Sequence, residues 1–310
     1  MKNEWNVENV ESLSDKTIIV TGGNSGLGFE SSAFFASKGA KVIIAARSKE
    51  KGAKAKSDIV SMYPDAKIEV LPLDLESLAS IKKFSELVKS NHDHIDILMN
   101  NAGIMLVPFG LTEDGFEKQF GVNHLGHFAL TARLFDLIKK GTNPRIINIS
   151  SQAHRIGAMD FHNLMYEQGN YSLARAYGKS KLANLLFTLE LDKRVKAAGL
   201  DIKVLTAHPG SSRTNLSRHV EKRKTFVLFN WLFKLTSQNA FNGALPGIRA
   251  SLDESVKSGE YYGPSGLLQL KGKPILVQPN VNAKSEVDSA KLWEKSEELT
   301  KLKFEIKKIW

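Results

Sequence analysis

The sequence predicts an α/β fold: a doubly wound parallel sheet with helices on both faces, folded as one domain over residues 1–310. Three observations predict it. Short β-branched runs alternate with amphipathic helical stretches along the chain. The first of those runs opens directly onto a glycine-rich turn. No low-complexity linker, charge block or internal repeat divides the chain.

Each expected strand is a short apolar run bounded by polar or turn-forming residues: Thr17–Thr21, Lys41–Ala45, Lys67–Leu71, Ile95–Asn100, Arg145–Ser150 and Lys203–His208. A further short strand is expected near Pro274–Val277. Helical periodicity fills the intervals, as in Leu78–Asn91 and Lys179–Ala197. Parallel strands joined through helices need right-handed crossovers, which cover both faces of the sheet.

The turn after the first strand reads Thr21-Gly-Gly-Asn-Ser-Gly-Leu-Gly28 and leads into an expected helix, Phe29–Lys38, stopped by Gly39. Strand, glycine turn and helix in that order form a dinucleotide-binding context. Gly22 can take backbone angles other residues avoid, Gly26 lets the chain approach a pyrophosphate, and Gly28 allows helix and strand to pack closely. The spacing differs from the generic G-x-G-x-x-G. The second expected strand ends Ala45-Ala-Arg-Ser48 without the acid that would bond a ribose 2′-hydroxyl. Arg47 stands there, followed by Lys49 and Lys51; a guanidinium forks onto a 2′-phosphate that a carboxylate would repel. NADP(H) is therefore the expected cofactor, ahead of NAD(H).

A second motif lies far downstream. Tyr177-Gly-Lys-Ser-Lys181 puts a phenol and an ammonium at i and i+4, on one helix face. A cation beside a phenol favours the phenolate. Bringing a tyrosine from about 10 to neutrality takes roughly 4 kcal/mol, of which one shielded ammonium supplies part.

Composition sets outer bounds. The hydrophobic and charged fractions, 42% and 25%, are ordinary for a globular protein. Net charge is +10, from 43 basic and 33 acidic residues, but no arginine-rich stripe with interleaved aromatics points to nucleic acid. With no cysteine there are no disulfides, no thiolate chemistry and no cysteine zinc site. His124 and His127, three apart, lack the carboxylates or cysteines of a metal site, so no metal is expected. Met1–Asp15 lacks the apolar core of a secretory signal, and no run of 18 apolar residues exists. A cytoplasmic protein without a transmembrane segment is expected.

Taken together, Thr21–Gly28, Asn100-Asn-Ala-Gly103, Val122-Asn-His-Leu-Gly-His-Phe128, Asn148-Ile-Ser-Ser151, Ala176–Asn184 and His208-Pro-Gly210 resemble the short-chain dehydrogenase/reductase family, in its retinol-dehydrogenase-like branch, which includes many uncharacterised bacterial oxidoreductases. The resemblance implies a Rossmann-type fold and an oxidoreductase. It implies a catalytic set of Asn123, Ser151, Tyr177 and Lys181: Tyr177 as acid or base, Lys181 lowering its pKa and holding the nicotinamide ribose, Ser151 bonding the substrate oxygen, and Asn123 binding a water that relays protons. Ser150 is the fallback for Ser151. It also implies cofactor contacts from Gly22, Asn24, Ser25, Gly26, Leu27, Gly28, Arg47, Asp74, Leu75, Asn101, Ala102, Gly103, Tyr177, Lys181, Pro209, Gly210 and Thr214.

The implied substrate is a small apolar carbonyl or alcohol, a retinoid-like or lipid aldehyde or ketone. Two other readings stand beside it: a ring double-bond reductase resembling protochlorophyllide reductase, which the absence of cysteine weakens, and a non-catalytic NADP(H) sensor, which usually lacks the tyrosine or lysine present here. Family members commonly pair through the helices around the tyrosine, so a homo-oligomer is an expectation, with a monomer left open. Residues 213–269 are expected as an elaboration over the substrate. Within them Phe226–Phe233 supplies an apolar surface for a lid, an interface or a peripheral membrane contact. His154 and His162, in the segment between Ser151 and Tyr177, are expected to be structural rather than substrate contacts.

Overall fold

The structure is a computed structural model in which residues 5–211 and 238–307 are described. Eight strands form one sheet in the order β3-β2-β1-β4-β5-β6-β7-β8. They are β1 Thr17–Thr21, β2 Lys41–Ala46, β3 Lys67–Pro72, β4 Ile97–Asn100, β5 Arg145–Ile149, β6 Lys203–Ala207, β7 Tyr261–Pro264 and β8 Pro274–Leu276. All pairs from β3 to β7 are parallel, and β8 pairs antiparallel with β7. The sheet is thus parallel, as expected, except at the β7–β8 edge. The helices are α1 Gly26–Ser37, α2 Lys49–Met62, α3 Leu78–Asn91, α4 Gly126–Ile138, α5 Leu173–Ala197, α6 Ala240–Leu252 and α7 Glu286–Thr300.

The β-branched run Thr-Ile-Ile-Val-Thr of β1 is buried at every position, as a central strand covered on both faces requires. Its side chains alternate between two cores. Ile19 joins the side covered by α3, α4 and α5, while Ile18 and Val20 join the side covered by α1, α2 and α6. The sheet reverses its order between β1 and β4, so the carboxyl ends of these strands diverge and leave a crevice there.

Several boundaries move for physical reasons. α1 begins at Gly26, inside the glycine turn, rather than at Phe29. α5 begins at Leu173 rather than Lys179 because Ser172 caps it, accepting from the Arg175 N–H. β4 starts at Ile97, since buried Asp96 is turned to accept from the Thr17 and Thr142 N–H groups at 2.7 Å each. β7 was not expected: four residues that include Gly263 and Pro264 carry almost no strand signal.

Of the expected elaboration 213–269, α6 packs its buried Ala244 and Ile248 on the sheet and β7 lies within the sheet. Thr214 and Phe226–Phe233 lie outside the described residues. No helix among the described residues is long and apolar enough to cross a membrane.

The C-terminal stretch packs through its aromatic and aliphatic side chains. Leu292 and Trp293 of α7 are buried, and Phe304 stacks on Trp293 at 4.9 Å between ring centroids. Phe128 of α4 meets Phe187 of α5, Trp293 and Phe304 edge-on at 5.3–5.8 Å. The tail therefore packs against α4 and α5. Phe128→Ala would empty the centre of this cluster, and urea unfolding is expected to register a loss of about 3–5 kcal/mol. A loss below about 1 kcal/mol would mean that the cluster does not hold the tail.

Candidate active site

The glycine turn sits at the carboxyl end of β1, and α1 leaves it without a side-chain cap from Ser25. The first-turn N–H groups of α1, at the positive end of its dipole, are thus available to an anion. Gly28 is required sterically, since a Cβ there would collide with the Gly22 carbonyl oxygen and the Asn101 amide. The next turn is tied to this one: Thr21 Oγ1 accepts from the Asn101 and Ala102 N–H groups at 2.9 Å each, and Asn101 Nδ2 donates to Thr21 O at 2.8 Å. Sequence reading took Thr21 as a strand end; in the structure it joins two of the cleft's turns.

One cleft of about 320 Å³ runs from these turns to Tyr177. Gly22, Asn24, Ser25, Gly26, Leu27, Gly28, Arg47, Asp74, Leu75, Asn101, Ala102, Gly103, Tyr177, Lys181 and Pro209 all border it. Gly210 does not. It is left-handed at φ +67°, and a Cβ there would run into the Leu270 carbonyl, so its glycine serves the packing of the 265–272 loop.

At the far end, Ser48 caps α2 by accepting from the Lys51 N–H at 3.2 Å, and both residues border the cleft beside Arg47. Glu76, which sequence reading missed, also borders it. Its carboxylate takes Arg47 Nη1 at 3.0 Å and Lys118 Nζ at 3.3 Å. The only hint in the sequence was its place two residues after Asp74.

At the other end, α5 presents Tyr177 and Lys181 on one face. Burial pushes the Tyr177 hydroxyl up to about 12, opposed by a hydrogen bond with the Ser151 side chain. Burial also pulls Lys181 down to about 8. Its Nζ lies 5.8 Å from the Tyr177 ring centroid and donates to Ile149 O at 3.0 Å. Burial is thus the largest influence on the tyrosine, and it favours the protonated hydroxyl.

The two serines are divided by their partners. Ser150 borders the cleft, but its hydroxyl donates to Lys181 O at 2.8 Å. Ser151, the residue bonded to Tyr177, begins the 3₁₀ turn Gln152–Ile156.

Asn123 lies in a π-turn, Gly121–Leu125, and is fully buried. Its Oδ1 accepts from the Ile104 N–H at 2.8 Å, and its Nδ2 donates to Ile104 O at 3.0 Å and Ser180 Oγ at 2.8 Å. A Cβ at Gly103 would lie 3.0 Å from Asn123 Oδ1 and 3.5 Å from Lys181 Nζ, so only a glycine keeps that space open. His154 is buried beneath the site, donating through Nδ1 to Ser151 O at 2.7 Å and accepting from the Asn280 N–H at 3.2 Å. It braces the Ser151 turn, while His162 is exposed. No metal-ligand cluster of His, Cys, Asp or Glu occurs among the described residues.

A family model described as short chain dehydrogenase matches residues 16–225. The chain belongs to the short-chain dehydrogenase family. It is 39% identical over 298 residues to retinol dehydrogenase 13 of Mus musculus, covering 94% of this chain and 85% of that protein. A crystal structure of an uncharacterised protein from Mycobacterium paratuberculosis superimposes with a TM-score of 0.81 at 37% identity, covering 97% of this chain and 99% of the other. The RhlG/NADP active-site complex of Pseudomonas aeruginosa matches at TM-score 0.64 and 26% identity, over 81% of this chain and 94% of that one. This short-chain dehydrogenase is thus an oxidoreductase of the retinol-dehydrogenase-like branch, acting on alcohols or carbonyls with a nicotinamide cofactor. The capless N-terminus of α1 and the cleft that runs past Gly26 and Gly103 to Lys181 fit such a cofactor.

Proposed function

We propose that this short-chain dehydrogenase uses NADP(H) to interconvert the carbonyl and alcohol forms of an apolar substrate, a retinoid-like or lipid aldehyde or ketone. The observation that carries the reading is the single cleft that joins the Arg47–Ser48–Lys51 end to Tyr177 and Lys181. When bound, the nicotinamide supplies or accepts the hydride.

The chain's residues handle the proton and the charge. Tyr177, held protonated by burial, gives its proton to the oxygen that becomes the alcohol, and takes it back in the reverse direction. Ser151 donates to the same oxygen as negative charge gathers there. Lys181 keeps positive charge beneath the tyrosine and would hold the ribose of the bound cofactor. Asn123 fixes Ser180 next to Lys181, and in this reading it would bind a water that relays protons to the tyrosine. The apolar substrate class rests on the likeness to proteins named retinol dehydrogenase.

For the 2′-phosphate, the supporting features are Arg47, Lys51 and the cap of α2, together with the likeness to the RhlG/NADP complex. Glu76 brings a carboxylate to this end, but Arg47 and Lys118 neutralise it. Arg47→Ala is expected to raise the KM for NADPH by roughly 10- to 100-fold and to leave that for NADH unchanged, the loss of one charge-assisted contact. Equal effects on the two cofactors would remove the NADP assignment.

The deciding experiment is NADPH consumption against a panel of aldehydes, ketones and quinones, with NADH in parallel. Turnover confined to NADPH and strongest on apolar carbonyls is the expected result. Tight NADPH binding with turnover on none of them would turn the reading toward a sensor.

A further inference from the structure

We propose that His127 is a positioning residue, a neutral imidazole protonated on Nδ1 that clamps the Asn101–Gly103 turn to the π-turn carrying Asn123. The inference rests on the proposed function for its consequence in the reaction, and on the hydrogen-bond network for the clamp itself.

His127 is 2% exposed. Standing four residues after Asn123 on the same helical face, its ring reaches back over the preceding turn. Nδ1 lies 3.0 Å from Asn123 O, and Nε2 lies 2.9 Å from Thr21 Oγ1. A carbonyl only accepts, so Nδ1 carries the hydrogen. A neutral ring then presents a lone pair at Nε2, which takes the Thr21 hydroxyl proton. Met99 O is the other acceptor within reach of that proton, at the longer distance of 3.4 Å. Thr21 Oγ1 keeps two lone pairs, and the N–H groups of Asn101 and Ala102 fill both at 2.9 Å.

Every donor in the network has an acceptor, and the Asn101 N–H is shared between Thr21 Oγ1 at 2.9 Å and Met99 O at 3.0 Å. The opposite tautomer would set a ring lone pair against the Asn123 carbonyl. A charged ring would bring a third donor to an oxygen already taken by two. Because the network is buried and closed, it is rigid. Asn123 in turn holds Ile104 and Ser180, so one imidazole couples the cofactor-side turn to the helix that carries Tyr177 and Lys181.

The test combines a spectrum with a pair of variants of the full chain. In protein labelled with ¹⁵N-histidine, the ring whose signals vanish in His127→Gln should show the Nδ1–H neutral pattern, unchanged from pH 8 to pH 6. An Nε2–H pattern, or titration near pH ~6.5 like a free histidine, overturns the clamp. His127→Asn can still donate to Asn123 O but leaves the Thr21 hydroxyl without its ring acceptor. NADPH affinity, measured by nucleotide fluorescence, should weaken by ~10-fold with a smaller change in kcat. His127→Gln can still accept from Thr21 but withdraws the donor from Asn123 O, so kcat should fall ~10-fold with the NADPH Kd within ~3-fold. Equal losses of thermal stability with no such split would reduce His127 to packing and overturn the positioning role. If wild-type protein binds no NADPH, the proposed function fails, while the tautomer still decides the clamp.

Discussion

Tyr177→Phe is expected to lower kcat by about 10²- to 10⁴-fold while leaving NADPH binding within about twofold, because it deletes a positioned general acid and little else. The ring is buried and phenylalanine fills the same space, so the variant should fold. The hydroxyl it removes is bonded to Ser151, which makes Ser151→Ala the second member of the series, with a loss of about 10²-fold. Ser150→Ala serves as the contrast. It removes one hydrogen bond to the Lys181 carbonyl and should cost about 1 kcal/mol of stability with little effect on turnover. Reversed outcomes for the two serines would exchange their roles, and Tyr177→Phe retaining more than about a tenth of kcat would end the acid–base assignment.

The pH profile follows from the same two groups. With Tyr177 near 12, its acid form persists through neutrality, so carbonyl reduction needs no low pH. Lys181, near 8, loses its proton as pH rises through that value. For reduction, kcat/KM reports the free enzyme, and it should be level below pH ~7 and decline above about 8. A rise through that interval would contradict a required ammonium.

Much of this site was legible because its chemistry is local. The buried run Thr17–Thr21 and the glycines behind it specify strand, turn and helix within a dozen residues. The spacing of Tyr177 and Lys181 specifies a shared helix face. What could not be read depends on contacts between distant segments. β7 exists because Thr206 and Ala207 offer it a partner, and its own four residues do not announce a strand. Glu76 meets Arg47 only after β2 and β3 lie side by side. The electrostatics depend on the fold for a related reason. A lysine next to a tyrosine in sequence implies mutual stabilisation of charge, but burial acts on each separately and here dominates both. The histidines show it most clearly: their number is in the sequence, and their protonation is set by the fold.

That protonation leads to a second large effect, the loss of stability in mild acid. Burial holds His124 near 3 and His127 and His208 near 4, and it lowers His154 as well. In the unfolded chain all four titrate near ~6.5. Between those values the unfolded state binds more protons than the folded one, so stability is complete above pH ~6.5 and falls as pH drops toward 4. Each such group contributes about 1.4 kcal/mol per pH unit. At pH 5 the three with the lowest values together remove roughly 6 kcal/mol, comparable with the 5–15 kcal/mol of an entire domain. Urea unfolding at pH 7.5 and pH 5 should therefore differ by several kcal/mol, with most of the change arriving below pH 6.5.

His124→Phe isolates one share. Its ring sits among Phe120, Phe128 and Phe187, and its one bonded partner, Ser296, also donates to Leu292 O. The variant should lose little at pH 7.5 and recover about 2 kcal/mol relative to wild type at pH 5. Equal stability of the wild-type protein at the two pH values would mean that the buried imidazoles take up protons in the folded state, and that the bonds assigned to neutral rings, His127 among them, do not form.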